Sequence, residues 1–148
     1  MTLVRYLRTP VALFLELQES LDGFQREVQL SAFDGRETVG RDVVHGMVVQ
    51  RDAFVELRMA LHDQAAAARA AGLTHADLEV EYPDGAVDAV LSVTAAARGA
   101  DGAARDGLLL TPPVRDEVRA VQTWMFEQVA TQLRGGAPSP WDGDGGPG

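Results

Sequence analysis

Apolar positions recur at steps of three and four over much of this chain, and the clearest run of that period lies near its end. In PPVRDEVRAVQTWMFEQVATQL, from Pro112 to Leu133, the residues Val114, Val118, Val121, Met125, Val129 and Leu133 fall along one side of a 3.6-residue helix. The spacing predicts a helix over Pro112 to Leu133 with a core-facing stripe, widened by Trp124 and Phe126. Arg115, Asp116, Arg119, Gln122, Glu127 and Gln128 fall on its other faces. Pro113 suits a first helical turn, where a missing N–H leaves no intrahelical bond unmade, and Gly135-Gly136 supply a stop.

The N-terminal stretch MTLVRYLRTPVALFLEL sets two arginines before an apolar run, as a secretion signal does. Glu16 interrupts the run and no small-residue cleavage site follows, so it reads as an amphipathic helix of the domain itself. Thr9 fits an N-cap and Pro10 a first helical position, giving a helix from Pro10 to about Phe33. Within it Phe14, Leu17, Leu21, Phe24 and Val28 follow a heptad repeat, the mark of a seam within a bundle or between two copies. Glu19, Asp22 and Arg26 line the opposite face, where Asp22 and Arg26 are spaced for an ion pair. Leu15 and Phe33 project toward that polar side and mark a second contact, within the domain or with a partner. Gly23 costs the helix about 1 kcal/mol relative to Ala, and Asp34-Gly35 is a natural stop. A short helix is expected over Arg41 to Val49 and a longer one over Asp52 to Ala71, ended by Gly72.

After Gly72 the texture changes. Leu78-Glu-Val-Glu-Tyr82 alternates apolar with charged residues, the period of a half-exposed strand. Pro83-Asp84-Gly85 then either turns a hairpin into a second strand, ending near Thr94, or opens a helix from about Ala86 to Arg98. The helix is favoured because the alternation is poor on its polar side. Gly99 to Gly107 reads as a flexible loop and Leu108-Leu109-Leu110 as a short extended entry to the last helix. The tail GGAPSPWDGDGGPG has too little apolar content to fold alone, although Trp141 is suited to tuck back onto the domain. The expected fold class is mainly α, an irregular four- to five-helix bundle with one or two short extended segments. It occupies residues 1–134 as one domain, with 135–148 a flexible tail. The alternative is an α+β arrangement with a hairpin at 78–94.

Charge and residue content narrow the functions. Thirteen basic against 22 acidic residues give a net charge of −9 over 148 residues, a balance that repels a phosphate backbone and an anionic membrane. Every basic residue is Arg, while Lys, Ile and Asn are absent; codon bias of a GC-rich genome accounts for this. Without cysteine there is neither a disulfide nor a thiolate nucleophile. No run approaches the ~20 apolar residues of a membrane span, so a soluble, cytoplasmic protein is expected. His45, His62 and His75 are scattered, and His62 beside Asp63 reads as a surface pair because adjacent helical positions diverge. No nucleophile elbow, phosphate loop or dinucleotide fingerprint occurs. Glu79 and Glu81 share a strand face, but so do the carboxylates of any water-facing edge. Asp142-Gly-Asp144-Gly lacks the remaining ligands of a calcium loop. No catalytic, cofactor-binding or metal-ligating residue is therefore expected.

A family resemblance adds a context. Pro10-Val-Ala-Leu-Phe-Leu with Gln18-Glu19, Asp22 and Arg26-Glu27 resembles the start of a helical accessory domain found in actinobacterial proteins whose other half is an anti-sigma-type, GHKL-fold ATP-binding module. Asp77-Leu-Glu-Val-Glu-Tyr resembles that domain's extended stretch. Asp106-Gly-Leu-Leu-Leu-Thr-Pro-Pro, Glu117-Val-Arg-Ala, Trp124, Gln128-Val-Ala-Thr-Gln-Leu and Gly-Gly-Ala-Pro-Ser-Pro-Trp141 resemble its closing segment. The Asn-containing and Gly-rich boxes that hold ATP in the GHKL fold have no counterpart here, so the resemblance implies the accessory domain without its ATPase, and no kinase residues carry over. It implies a part in partner switching, with an anti-sigma-type ATPase, an antagonist or a sigma factor as partner. The expected function is thus a non-enzymatic regulatory or protein-interaction domain, contacting its partner through Leu15, Glu19, Asp22, Arg26, Phe33 and Trp141. The alternative is a small-ligand sensor whose apolar pocket lies between helices and is lined by Met47, Met59, Trp124 and Met125.

Overall fold

The first nine residues after Met1 form a strand, β1 (Thr2–Pro10), and not the leading turns of a helix. The computed structural model describes residues 1–33, 41–107 and 111–143, apart from the side chains of residues 25, 28–33, 41–53 and 93. After β1 come α1 (Val11–Phe33), α2 (Arg41–Ala70), β2 (His75–Tyr82), α3 (Val87–Arg105) and α4 (Asp116–Leu133). The chain is mainly helical, as expected, with one small antiparallel sheet of β1 and β2. Val4 and Tyr6 point inward while Leu3 and Arg5 face out, and Val4 pairs with Val80 and Tyr6 with Leu78. The period of two was present in TLVRY, but the strand that completes it lies more than sixty residues away.

The register shifts between Tyr6 and Thr9. Arg8 adopts the left-handed region there (φ 56°), a conformation that costs a non-glycine residue roughly 1–2 kcal/mol. Its N–H donates to Asp77 Oδ1 at 2.8 Å, which holds the bulge. Thr9 does not cap α1: it is buried and its hydroxyl donates to the Tyr6 carbonyl at 2.8 Å. Pro10 closes the strand opposite His75, and Val11 N–H, the first of the helix, donates to the Thr74 carbonyl at 3.0 Å.

α1 buries Phe14, Leu17, Leu21 and Phe24 against α2 and α4, so this part of the heptad seam lies inside the domain; the side chain of Val28 is outside the described residues. Asp22 pairs with Arg58 of α2 at 2.7 Å, across to a neighbouring helix instead of along its own to Arg26. Gly23 has a packing reason, since a Cβ there would sit 3.1 Å from Thr111 Cγ2. The two helices expected between Arg41 and Ala71 are one continuous helix. Gly72 (φ 77°) ends it in a Schellman turn: its N–H donates to the Arg69 carbonyl, and that of Leu73 to Ala68, both at 3.0 Å.

Helix, not hairpin, follows Pro83, and β2 pairs with β1 alone, which overturns the 78–94 hairpin. The helix also runs further than expected. The segment 99–105, taken as part of a flexible loop, continues α3, because Ala96, Ala97, Ala100, Asp101 and Ala104 form a buried small-residue stripe where α3 packs on α2 and α4. Residues 108–110, expected as an extended entry, lie outside the described residues. α4 starts at Asp116, later than the sequence suggested, since each residue before a proline in Thr111-Pro-Pro is driven away from helical dihedrals. Asp101 receives the Val114 N–H at 3.1 Å and the Arg119 Nε–H at 2.9 Å, pinning this entry to α3. Gly135 and Gly136 close α4 with a second Schellman turn, donating to Gln132 and Thr131.

Candidate functional site

Three helix faces meet over the sheet without filling the space between them. α1 contributes Phe14, Leu17, Gln18 and Leu21; α2 contributes Phe54, Leu57, Arg58 and Leu61; α4 contributes Gln122, Met125, Phe126 and Val129. The sets on α2 and α4 share one spacing, i, i+3, i+4 and i+7, that of a single helical face. Val90 of α3 adds to the wall, and Tyr6 and Tyr82 enter from the inward face of the sheet. The result is a half-open, mainly apolar cavity of about 110 Å³.

Its polar groups are few. The hydroxyls of Tyr6 and Tyr82 lie 3.0 Å apart, buried. Burial pushes the Tyr6 hydroxyl well above the usual tyrosine range and that of Tyr82 upward, because an anion there would lose its water. Two hydroxyls carry two protons, and the contact between them uses one; among the described residues neither has another hydrogen-bond partner. One O–H donor is left over beside the cavity. Tyr82 also meets Phe54 with ring centroids 6.1 Å apart, and Tyr6 meets Trp124 edge-on at 6.1 Å.

Gln122 is the second polar group. It is only 6% exposed, yet its side-chain amide makes no hydrogen bond among the described residues. Gln18, by contrast, is satisfied: its Nε2 donates to the Arg58 carbonyl at 3.4 Å and its Oε1 meets His62 Nδ1 at 2.7 Å. The Arg58 guanidinium, at the same wall, donates to Asp22.

A second structured region lies where the tail returns. Trp141 is buried and packs edge-on against Trp124, ring centroids 5.6 Å apart. Its N–H donates to the Leu7 carbonyl at 3.0 Å, Arg8 Nη1 donates to its carbonyl at 2.9 Å, and Gln128 Oε1 accepts the Ser139 N–H at 2.8 Å. These bonds tie the tail to β1 and α4.

The residues expected to contact a partner are dispersed. Leu15 is half-buried against the core, Glu19 and Arg26 are exposed on α1, Asp22 holds Arg58, and Trp141 packs on Trp124; the side chain of Phe33 lies outside the described residues. Of the residues expected to line a pocket, Met125 does so, Met59 is 60% exposed, and Trp124 lies on the tail side. Met47's side chain falls outside the described residues. Gln122 and Gln128, assigned to outer faces, are buried. The signal for Gln122 was available, since Val118, Gln122, Met125, Val129 and Gln132 form their own repeat of four, three, four and three.

No group of three or more His, Asp or Glu side chains suited to a metal ion occurs among the described residues. His62 contacts Gln18, and Glu79 faces Arg5 at 3.5 Å on the outer side of the sheet. No helix among the described residues is long and apolar enough to cross a membrane. Comparison with protein-family models, curated proteins and solved structures found no match.

Proposed function

We propose that this chain is a non-enzymatic regulatory domain that senses a small ligand in the cavity between α1, α2 and α4. The cavity itself carries the reading. Native cores pack to the density of organic crystals and leave few voids larger than water, whereas this apolar hollow of about 110 Å³ is open on one side to a solute. Concave, largely apolar walls with a few convergent polar groups are the usual construction of a ligand site. A molecule seated there touches three helices and the sheet together, so its binding alters how firmly they hold one another. The resemblance to the accessory domain of anti-sigma-type proteins supports the regulatory part and suggests partner switching as its output.

The test is thermal unfolding with a library of small aromatic and alicyclic molecules, on the wild type and on Val129→Phe, which fills the cavity. A ligand at a hundredfold its Kd adds about 2.7 kcal/mol; such a shift in the wild type, abolished by Val129→Phe, is the expected result. Hits that survive Val129→Phe, or no hits, defeat the reading.

A second reading, a protein-interaction domain with no small ligand, is favoured by Val55 and Met59. They lie one turn apart on α2 and are 44% and 60% exposed. It predicts that an anti-sigma-type ATPase, its antagonist or a sigma factor binds the wild type and that Val55→Glu with Met59→Glu abolishes that binding.

A further inference from the structure

We propose that the cavity selects a neutral, single-ring molecule bearing one primary carboxamide or a head group of the same donor and acceptor pattern, and that Gln122 reads that head group. The inference rests on the proposed ligand-binding role of the cavity and concerns what it binds.

Gln122 carries the argument. Its amide has no hydrogen-bond partner among the described residues and keeps accessible surface, so two donors and an acceptor stand free for a ligand. Gln122 lines the cavity and as a residue is only 6% exposed. It presents an N–H and a carbonyl side by side. The complement of that edge is another carboxamide, which returns a carbonyl and an N–H in the same plane and forms two parallel hydrogen bonds. The unused O–H of the tyrosine pair gives the cavity a further donor.

Charge and size limit the rest of the molecule. Among the described residues the one ionised side chain on the wall is Arg58, and its guanidinium is bound to Asp22 at 2.7 Å. A carboxylate entering the cavity would lose its hydration with no free cation among the described residues to replace it, so a neutral ligand is favoured. An apolar cavity of 150 Å³ engineered in another protein takes up benzene; about 110 Å³ that opens on one side accommodates one six-membered ring with its substituent toward the opening. The rings of Phe14, Phe54, Tyr6 and Tyr82 offer edges and faces to an aromatic body.

Calorimetric titration at neutral pH with benzamide, toluene and benzoate separates the claims. Benzamide is expected to bind at least tenfold more tightly than toluene, and benzoate at least tenfold more weakly than benzamide. In Gln122→Leu, checked for native helix content by circular dichroism, the order of benzamide and toluene reverses. Gln122→Met, close to glutamine in length and volume, is the second variant should the leucine fail to fold, with the same reversal expected. Toluene binding as tightly as benzamide in the wild type, or unchanged benzamide affinity in the folded variant, overturns the role of Gln122 while leaving a ligand cavity standing. If none of the three binds at its solubility limit, the ligand reading falls with it.

Discussion

The Tyr6 hydroxyl lies 3.0 Å from that of Tyr82, joining the two strands at the floor of the cavity through the only tyrosines of the chain. Both hydroxyls are raised above their ordinary range by burial. Above about pH 10 the unfolded chain releases these two protons and the native chain keeps them. The unfolded state then binds fewer protons, so stability is unaffected by this pair below that pH. It falls above it by about 1.4 kcal/mol per pH unit for each tyrosine. Tyrosinate absorbance should stay absent from the native protein near pH 10 and rise only together with loss of helical circular dichroism. Ionisation of either tyrosine in the folded state would contradict this.

Asp101 is 5% exposed at its side chain and serves Arg119, Arg105 and the Val114 N–H at once. Replacing it with Ala leaves the Val114 N–H without its acceptor, while the Arg119 guanidinium keeps Asp116 and the Val114 carbonyl. A loss of about 2 kcal/mol is expected, measured as a lowered urea midpoint with an unchanged slope. Asp101→Asn keeps an acceptor for Val114 and should lose less.

Gly23 and Thr111 constrain each other. Alanine at a helical glycine gains about 1 kcal/mol, but here its Cβ would meet Thr111 Cγ2 at 3.1 Å. Gly23→Ala alone should therefore change stability by less than about 0.5 kcal/mol, and with Thr111→Ser the gain should approach about 1 kcal/mol. Serine keeps the hydroxyl that donates to Glu27 at 2.8 Å. Denaturation of the four proteins of this double-mutant cycle gives the coupling directly.

Trp141 holds the tail to the domain. Its loss removes a buried indole and an edge-on aromatic contact, and Trp141→Ala should cost about 3 kcal/mol. Because Trp124 and Trp141 are the two tryptophans of the chain, near-ultraviolet circular dichroism should lose most of its indole signal in this variant. Proteolysis between Gly136 and Ser139 should become fast. A variant as resistant as the wild type would show that the backbone bonds of residues 139 and 141 hold the tail without the indole.

The helical bulk of this domain was legible in local pattern. Phe14 to Phe24 and Val118 to Val129 repeat at the helical period, Leu78 to Tyr82 alternates as a strand does, and glycines stand at positions 72 and 135, where helices end with positive φ. These features are set within a few residues of chain, where propensity and periodicity operate. Tertiary structure decided the rest. TLVRY became a strand because β2 offered it backbone partners, and 99–105 became helix because α2 and α4 covered its alanines. Gln122 turned inward because three helix faces converged on it without filling the space. Hydrogen-bond partners distant in sequence and the shape of the space between elements belong to no single segment. The fold class could therefore be read from the chain, while the cavity and the amide within it could not.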